Sequence, residues 1–167
     1  TVGATGATFE PVIFDGAEYV KDGLLYVAEW IGASPWTERM TGIIDDIWKY
    51  APVDTPFGKI PTLNLEVCGD LLQANSRLYW FTSDRKYLDW AIRLGDYYLL
   101  GTNHPTRDLK QLRLIDHGCE VINGRSELYV AVAQVAPEKN KAYEQPLHEM
   151  FDCILEKGRN EDGLIYT

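Results

Sequence analysis

The side chains best suited to chemistry in this sequence are the acids and the histidine of one short segment. Asp116 and Glu120 are four residues apart, so on a helix they share one side, and His117 between them can carry a proton near neutral pH. Two carboxylates beside a cleft suffice for glycosidic hydrolysis, because one protonates the leaving oxygen and the other activates water or attacks carbon. The structural alternative is that Asp116 caps a helix, where we expect it, and Glu120 favours the positive helix end. Metal ligation is a third possibility, although the spacing matches no recognised metal site.

Two further acids occupy equivalent positions in a repeat. A glycine and a nearby acid are followed about two helical turns later by Leu-Tyr, and this phrase occurs three times, roughly every fifty residues. The copies contain Gly16 and Glu18, Gly69 and Asp70, and Gly118 and Glu120. A repeat of this period indicates a stack or ring of similar supersecondary units. We therefore predict that the three carboxylates lie at equivalent places in neighbouring units, either as a shared site or as ordinary helix-start acids.

Three more residues are candidates for binding a substrate. Glu66 lies one turn before Asp70 and can share its face. Arg113 belongs to a locally basic loop in an acidic chain, and its guanidinium can hold a carboxylate such as that of a uronate in a bidentate pair. Tyr166 can stack on a sugar ring. The alternatives are ordinary surface salt bridges for the arginine and simple covering of the loop face for the tyrosine.

The elements that must position these residues are helices. The hydrophobic pattern predicts three αα-hairpins, at about 14–50, 64–100 and 116–157. The first helix of each hairpin is apolar around most of its circumference and is predicted to be inner, whereas the second is amphipathic and outer. Long loops precede the second and third inner helices, so the loops gather at the N-terminal ends of the inner helices. We expect Pro146 to kink the last helix or to mark its start.

Composition sets limits on function. The 167 residues, 46% hydrophobic, suit a single domain spanning 1–167. A formal charge of −9 disfavours nucleic acid and anionic membrane partners, and no apolar run is long enough to span a bilayer. The three cysteines match neither a disulfide framework nor a zinc pattern, and no nucleotide-binding motif occurs. We predict no metal and no cofactor. The compartment stays open, with a secreted or periplasmic location favoured over a cytoplasmic one.

The paired helices, the segment LIDHGCEVINGRSELYVAVAQ and the segment NEDGLIYT resemble the six-hairpin (α/α) toroid glycosidases and the related toroid polysaccharide lyases. The resemblance is one of pattern and covers most of 14–167. It implies an all-α toroid, an active cleft on the inner-helix face, Asp or Glu catalysts and an oligosaccharide substrate. Residues 158–167 resemble the lead-in to a fourth inner helix. We therefore expect three hairpins of an incomplete (α/α)6 barrel, completed by the remainder of the toroid or by self-association.

Three functions are consistent with these patterns. In a glycoside hydrolase, Asp116 is the proton donor and Glu120 or Asp70 is the base or an orienting group. In a polysaccharide lyase, His117 or a tyrosine abstracts the proton alpha to a uronate carboxylate, which Arg113 neutralises. The third function is a non-catalytic helical-repeat module that binds a protein or a glycan on its concave surface.

Overall fold

The computed structural model describes residues 9–108 and 112–165, and the prediction of an all-α fold is confirmed. Within these residues the only β-pairings are two isolated bridges in the connecting segments. The helices of the described chain, in order, are α1 (Phe9–Glu18, a π-helical turn Tyr19–Leu24, and Leu25–Ile31), α2 (Pro35–Lys49), α3 (Leu65–Thr82), α4 (Arg85–Gly95, continued by a π-helical turn Asp96–Leu100), α5 (Glu120–Val135, after a 3-10 turn Asp116–Cys119) and α6 (Pro137–Lys157).

Local sequence signals explain most of the helix ends. The side chain of Asn64 accepts hydrogen bonds from the amides of Glu66 and Val67 at the start of α3, and Asp84 accepts one from the amide of Lys86 at the start of α4. Pro146 lies inside α6, so the alternative that it marks the start of this helix is wrong. The helix begins nine residues earlier, at another proline, because a proline in the first turn has no amide hydrogen bond to lose.

The helices form two layers. α1, α3 and α5 pack side by side, and each packs against the helix that follows it in the chain. α3 is the most deeply buried, since every residue of 67–76 is buried. The closest approach is that of α3 and α5, where a Cβ on Gly69 would overlap the backbone of Glu120 and a Cβ on Gly124 would overlap the backbone of Gly69. The two helices therefore meet backbone to backbone.

Part of the inner layer is exposed. Large apolar side chains at the C-terminal ends of α1, α3 and α5 are half or more exposed, namely Tyr26, Val27, Trp30, Ile31, Trp80 and Val130. α1 is therefore less buried than its apolar sequence predicts, because no described helix packs on its free flank. We call this surface the apolar end of the inner layer.

Two expectations from composition can be compared with the described residues. None of their helices is both long enough and apolar enough to cross a membrane. No disulfide joins the three cysteines, of which Cys68 is buried, Cys153 is partly buried and Cys119 is exposed.

Candidate acid–base site at the N-terminal ends of the inner helices

Acids from α3 and α5 meet around one lysine from α1. The ammonium of Lys21 lies 2.8 Å from Oδ1 of Asp70, 2.6 Å from Oε1 of Glu120 and 3.2 Å from Oδ2 of Asp22. An ammonium has three N–H donors, so each can face one carboxylate. The side chains of Lys21 and Asp70 are 4% and 0% exposed, which makes this contact a buried ion pair. We call Lys21, Asp70 and Glu120 the buried cluster.

Two backbone features bring this cluster together. Lys21 belongs to the π-helical turn of α1, and a π-turn inserts one residue per turn and changes the direction in which side chains project. The contact of Gly69 with the backbone of Glu120 places the next residue, Asp70, close to the start of α5. Glycine is needed here because any side chain would push the two helices apart.

The two carboxylates of the cluster have different partners. Glu120 accepts a hydrogen bond from Nε2 of Gln73 on its second oxygen, and the thiol of Cys119 lies 3.6 Å from its first oxygen. Apart from its contact with Lys21, neither oxygen of Asp70 has a hydrogen-bond partner in the described part of the chain. Glu120 is thus held as an anion by several donors, whereas Asp70 depends on one.

The pKa values of Asp70 and Glu120 agree with this difference in partners. Burial raises the pKa of Asp70 to about 6, against the opposing effect of Lys21 and with help from the charges of Glu120 and Glu18. Burial also acts to raise the pKa of Glu120, but the hydrogen bonds from Lys21 and Gln73 outweigh it, and the net pKa is lowered. Burial acts to lower the pKa of Lys21, yet Asp70 and Glu120 raise it overall, so the ammonium stays charged.

A second group of polar residues lies nearer the solvent and forms a chain. Glu66 Oε1 is 3.9 Å from Nε of Arg113, and Nη2 of Arg113 is 2.9 Å from Oδ2 of Asp116. The imidazole of His117 lies 3.6 Å from Asp116 through Nε2 and 3.6 Å from Glu18 through Nδ1. All five side chains are at least partly exposed. We call these five residues the rim chain.

The turn that carries the rim chain is shaped by two residues. Asp116 has a positive φ of 59°, a conformation in which Asp is enriched among non-glycine residues. Two residues on, a Cβ on Gly118 would overlap the carbonyl oxygen of Arg113. A groove of about 470 Å³ adjoins this turn and is lined by Asn64, Leu65, Glu66, Leu112, Arg113 and Val121. The rim chain therefore borders an open space large enough for a sugar unit.

The structure brings most of the predicted site residues to one place. Asp70 and Glu120 meet in the buried cluster, and the other members with a described position form the rim chain: Glu18, Glu66, Arg113, Asp116 and His117. Tyr166 lies outside the described residues. Among those described, no group of three or more His, Cys, Asp and Glu side chains has an arrangement that could hold a metal ion.

One predicted detail is wrong. Asp116 is not the N-cap of the inner helix, because α5 begins at Glu120 and Asp116 opens the separate 3-10 turn before it. The left-handed conformation of Asp116 breaks the helical relation between the two acids. Asp116 consequently pairs with Arg113 on the rim, while Glu120 turns inward to Lys21.

Sequence reasoning missed Lys21 and Gln73. A polar residue follows each repeat acid by three positions, as Lys21, Gln73 and Asn123. On a helix this offset shares a face with the acid, so the pattern could have pointed to two of the actual partners. Asn123 is exposed, which shows that the third copy uses the same position differently.

Comparison with known proteins adds no further assignment to this geometry. No family model, no curated protein and no solved structure matches the chain. The case for a function consequently depends on the sequence pattern and on the contacts described above.

Proposed function

We propose that this protein is a glycoside hydrolase that uses carboxylate acid–base catalysis at the rim chain and the buried cluster. The observation that carries the proposal is the position of Glu120. It is ionised, its side chain is 9% exposed, and it lies at the start of α5 directly after the turn that bears Asp116 and His117. An ionised carboxylate close to a second carboxyl group that can donate a proton supplies the two kinds of group that glycosidic hydrolysis uses.

The roles follow from exposure and charge. Asp116, exposed on the rim, is the proton donor to the leaving oxygen, and His117 beside it exchanges protons with solvent. Glu120 activates the attacking water, and Asp70 orients Glu120 from the buried side through their shared contact with Lys21. Arg113 pairs with Asp116 in the free protein. A uronate carboxylate that binds the guanidinium would compete with this pair.

The apolar end of the inner layer supports the proposed toroid architecture. In a helical repeat each unit packs against neighbours on both sides, and Tyr26, Trp30 and Trp80 are 59%, 87% and 50% exposed. Further hairpins of the same toroid, or a second copy of this chain, would cover these side chains.

The test is an assay on a panel of oligosaccharides with and without uronic acid. Both hydrolysis and elimination release a new reducing end, but only elimination also creates an unsaturated uronate that absorbs in the ultraviolet, so reducing ends without this absorbance report hydrolysis. We expect Asp116→Asn and Glu120→Gln each to lower the rate by about 10²-fold or more, while Glu144→Gln on the exposed surface of α6 leaves it unchanged. Full turnover in the Asp116→Asn, Glu120→Gln double variant would reject the proposal.

A polysaccharide lyase is the second candidate, because His117 lies between two carboxylates and Arg113 borders the groove. In this case the product absorbs in the ultraviolet, and His117→Ala abolishes its formation. A non-catalytic binding module is the third. It predicts that a glycan or protein ligand binds with unchanged affinity in both acid variants and that no panel member is turned over.

A further inference from the structure

The buried cluster contains two carboxylates and one ammonium. Asp70 and Glu120 are within 2.8 and 2.6 Å of the same nitrogen, and Lys21 is the one cation within ion-pair distance of either acid among the described residues. Two like charges on one buried cation cannot both be fully stabilised, since burial penalises any uncompensated charge. The cluster therefore has a place for one proton.

The surrounding hydrogen bonds decide where this proton resides. Gln73 donates to Glu120 and not to Asp70, and the thiol of Cys119 also faces Glu120. Asp70 is completely buried and has only Lys21. A carboxyl group with fewer donors and no access to water is the easier one to protonate.

We propose that Lys21 is the positioning residue of this site: its ammonium holds the carboxylates of Asp70 and Glu120 together, and the further donors that only Glu120 has make Asp70 the acid that takes up a proton and Glu120 the one that stays ionised. This division keeps Glu120, the base of the proposed hydrolase, in the ionised form that can activate water, while Asp70 holds its proton behind it. In its link to catalysis the inference rests on the proposed function, but the division itself can be measured without any substrate.

Charged groups on every neighbouring element affect the protonation of the buried cluster. α1 contributes Glu18, Asp22 and Lys21, and the charges of Glu18 and Glu120 both favour the protonated form of Asp70. α5 contributes Glu120 and Glu127, and the pKa of Glu127 is raised by burial and by the charge of Glu120. The thiol of Cys119 faces Glu120, and burial together with that carboxylate raises its pKa. Lys21 is surrounded by acids, so its removal affects more groups than its two closest partners.

The experiment is a pH titration of the side-chain carboxyl carbons by NMR on the full chain. In the natural protein we expect Asp70 to titrate near its raised pKa of about 6 and Glu120 below its ordinary range. Lys21→Met should raise the midpoints of both acids, because each loses its cation, and Glu120 should stay the lower of the two because it keeps the hydrogen bond from Gln73. Lys21→Arg should keep both midpoints near their natural values. Lys139→Met, which removes a lysine from another ion pair, should leave both unchanged. Unchanged midpoints in Lys21→Met would overturn the inference.

A second variant covers the case in which Lys21→Met does not fold. Glu120→Gln removes a charge that raises the pKa of Asp70 and keeps its contact with Lys21, so the midpoint of Asp70 should fall towards its ordinary value. The inference is overturned if Asp70 and Glu120 titrate together in the natural protein, or if the midpoint of Asp70 is the same with and without Glu120. A separated pair in a protein that turns over no glycan would reject the proposed hydrolase and leave the role of Lys21 intact.

Discussion

Two π-helical turns of the described chain each carry a charged side chain whose ion pairs are largely buried, and these contacts differ in charge balance. The turn in α1 carries Lys21, which contacts two buried acids. The turn in α4 begins with Asp96, whose two oxygens are 2.8 and 2.7 Å from the ammonium of Lys139 on α6. Tyr143 also donates to Asp96, at 2.7 Å. The second pair has one charge of each sign and every oxygen satisfied.

This difference in charge balance indicates that the two π-helical turns have different roles. The pair of Asp96 and Lys139 joins α4 to α6 with one charge of each sign, as expected of a structural contact. The cluster around Lys21 has one carboxylate more than its cation can balance, which lowers stability. Both π-turns place a charged side chain against another hairpin, but only the one in α1 contacts Glu120, directly after the turn that bears Asp116 and His117.

Removing the lysine from each pair gives the largest expected effect. Lys21→Met leaves two buried carboxylates without a cation and should lower the free energy of unfolding by about 3–5 kcal/mol. Lys139→Met should cost about half as much, because Asp96 keeps the hydroxyl of Tyr143 and its side chain is 12% exposed. Urea denaturation followed by circular dichroism measures both values. Equal losses would contradict the distinction between the two pairs.

Glycines beside each pair give the next largest effect. Gly69→Ala forces a Cβ into the backbone of Glu120, and we expect a loss of about 3 kcal/mol in the free energy of unfolding. Gly95→Ala, beside Asp96, meets the ends of the Leu128 and Tyr143 side chains, which can move, so the loss should be smaller. Gly42→Ala on α2 has open space and should gain up to about 1 kcal/mol. Thermal and urea denaturation of the three variants measure these changes in the free energy of unfolding. Any other order would contradict the packing described for the three glycines.

The unbalanced cluster also predicts a pH dependence of stability. The pKa of Asp70 rises from an ordinary value of 3.8 to about 6 on folding, so between these values the folded protein holds a proton that the unfolded chain releases. The free energy of unfolding should therefore decrease as pH rises through this window, by roughly 1–3 kcal/mol. Asp70→Asn should remove this slope, and Asp152→Asn on the exposed surface of α6 should retain it. The measurement is urea denaturation at a series of pH values, and an identical slope in Asp70→Asn would show that another group is responsible.

The smallest effect on stability is expected at the rim. Arg113→Gln breaks exposed ion pairs and should cost less than about 1 kcal/mol. Its effect on substrate binding should be larger, with KM for a uronate-containing oligosaccharide rising about tenfold (about 1.4 kcal/mol) and KM for a neutral one unchanged. Arg107→Gln is the matched control. Arg107 lies in the same loop as Arg113 and forms a comparably exposed pair with Glu149 of α6. If both variants change KM alike, Arg113 has no special role.

The helices and the meeting of the acids could be predicted because they depend on periodicity. An apolar run such as that of α5 has the 3.6-residue pattern of a buried helix, and a repeated Gly-acid phrase places similar residues at similar depths. Asp70 and Glu120 were therefore recognisable as neighbours from the sequence. The burial of α1 was overestimated, because a sequence pattern does not show which flank has a neighbour.

Details that depend on irregular backbone could not be predicted. The three-residue offset singles out Lys21 as a polar residue to consider, but the π-turn of α1 sets its side-chain direction, so its contacts with Asp70 and Glu120 do not follow from regular helical spacing. The positive φ of Asp116 separates it from Glu120 for the same reason. Both exceptions lie in the candidate site, where departures from regular local structure are expected of functional positions.

The glycine crossing of α3 and α5 has a consequence for how this site could change over evolution. Backbone contact between α3 and α5 sets the distance between the carboxyl groups of Asp70 and Glu120. This distance therefore does not depend on the loop that precedes α5. Under the proposed function, insertions or replacements in that loop would alter which substrates bind, while the spacing of Asp70 and Glu120 stays constant.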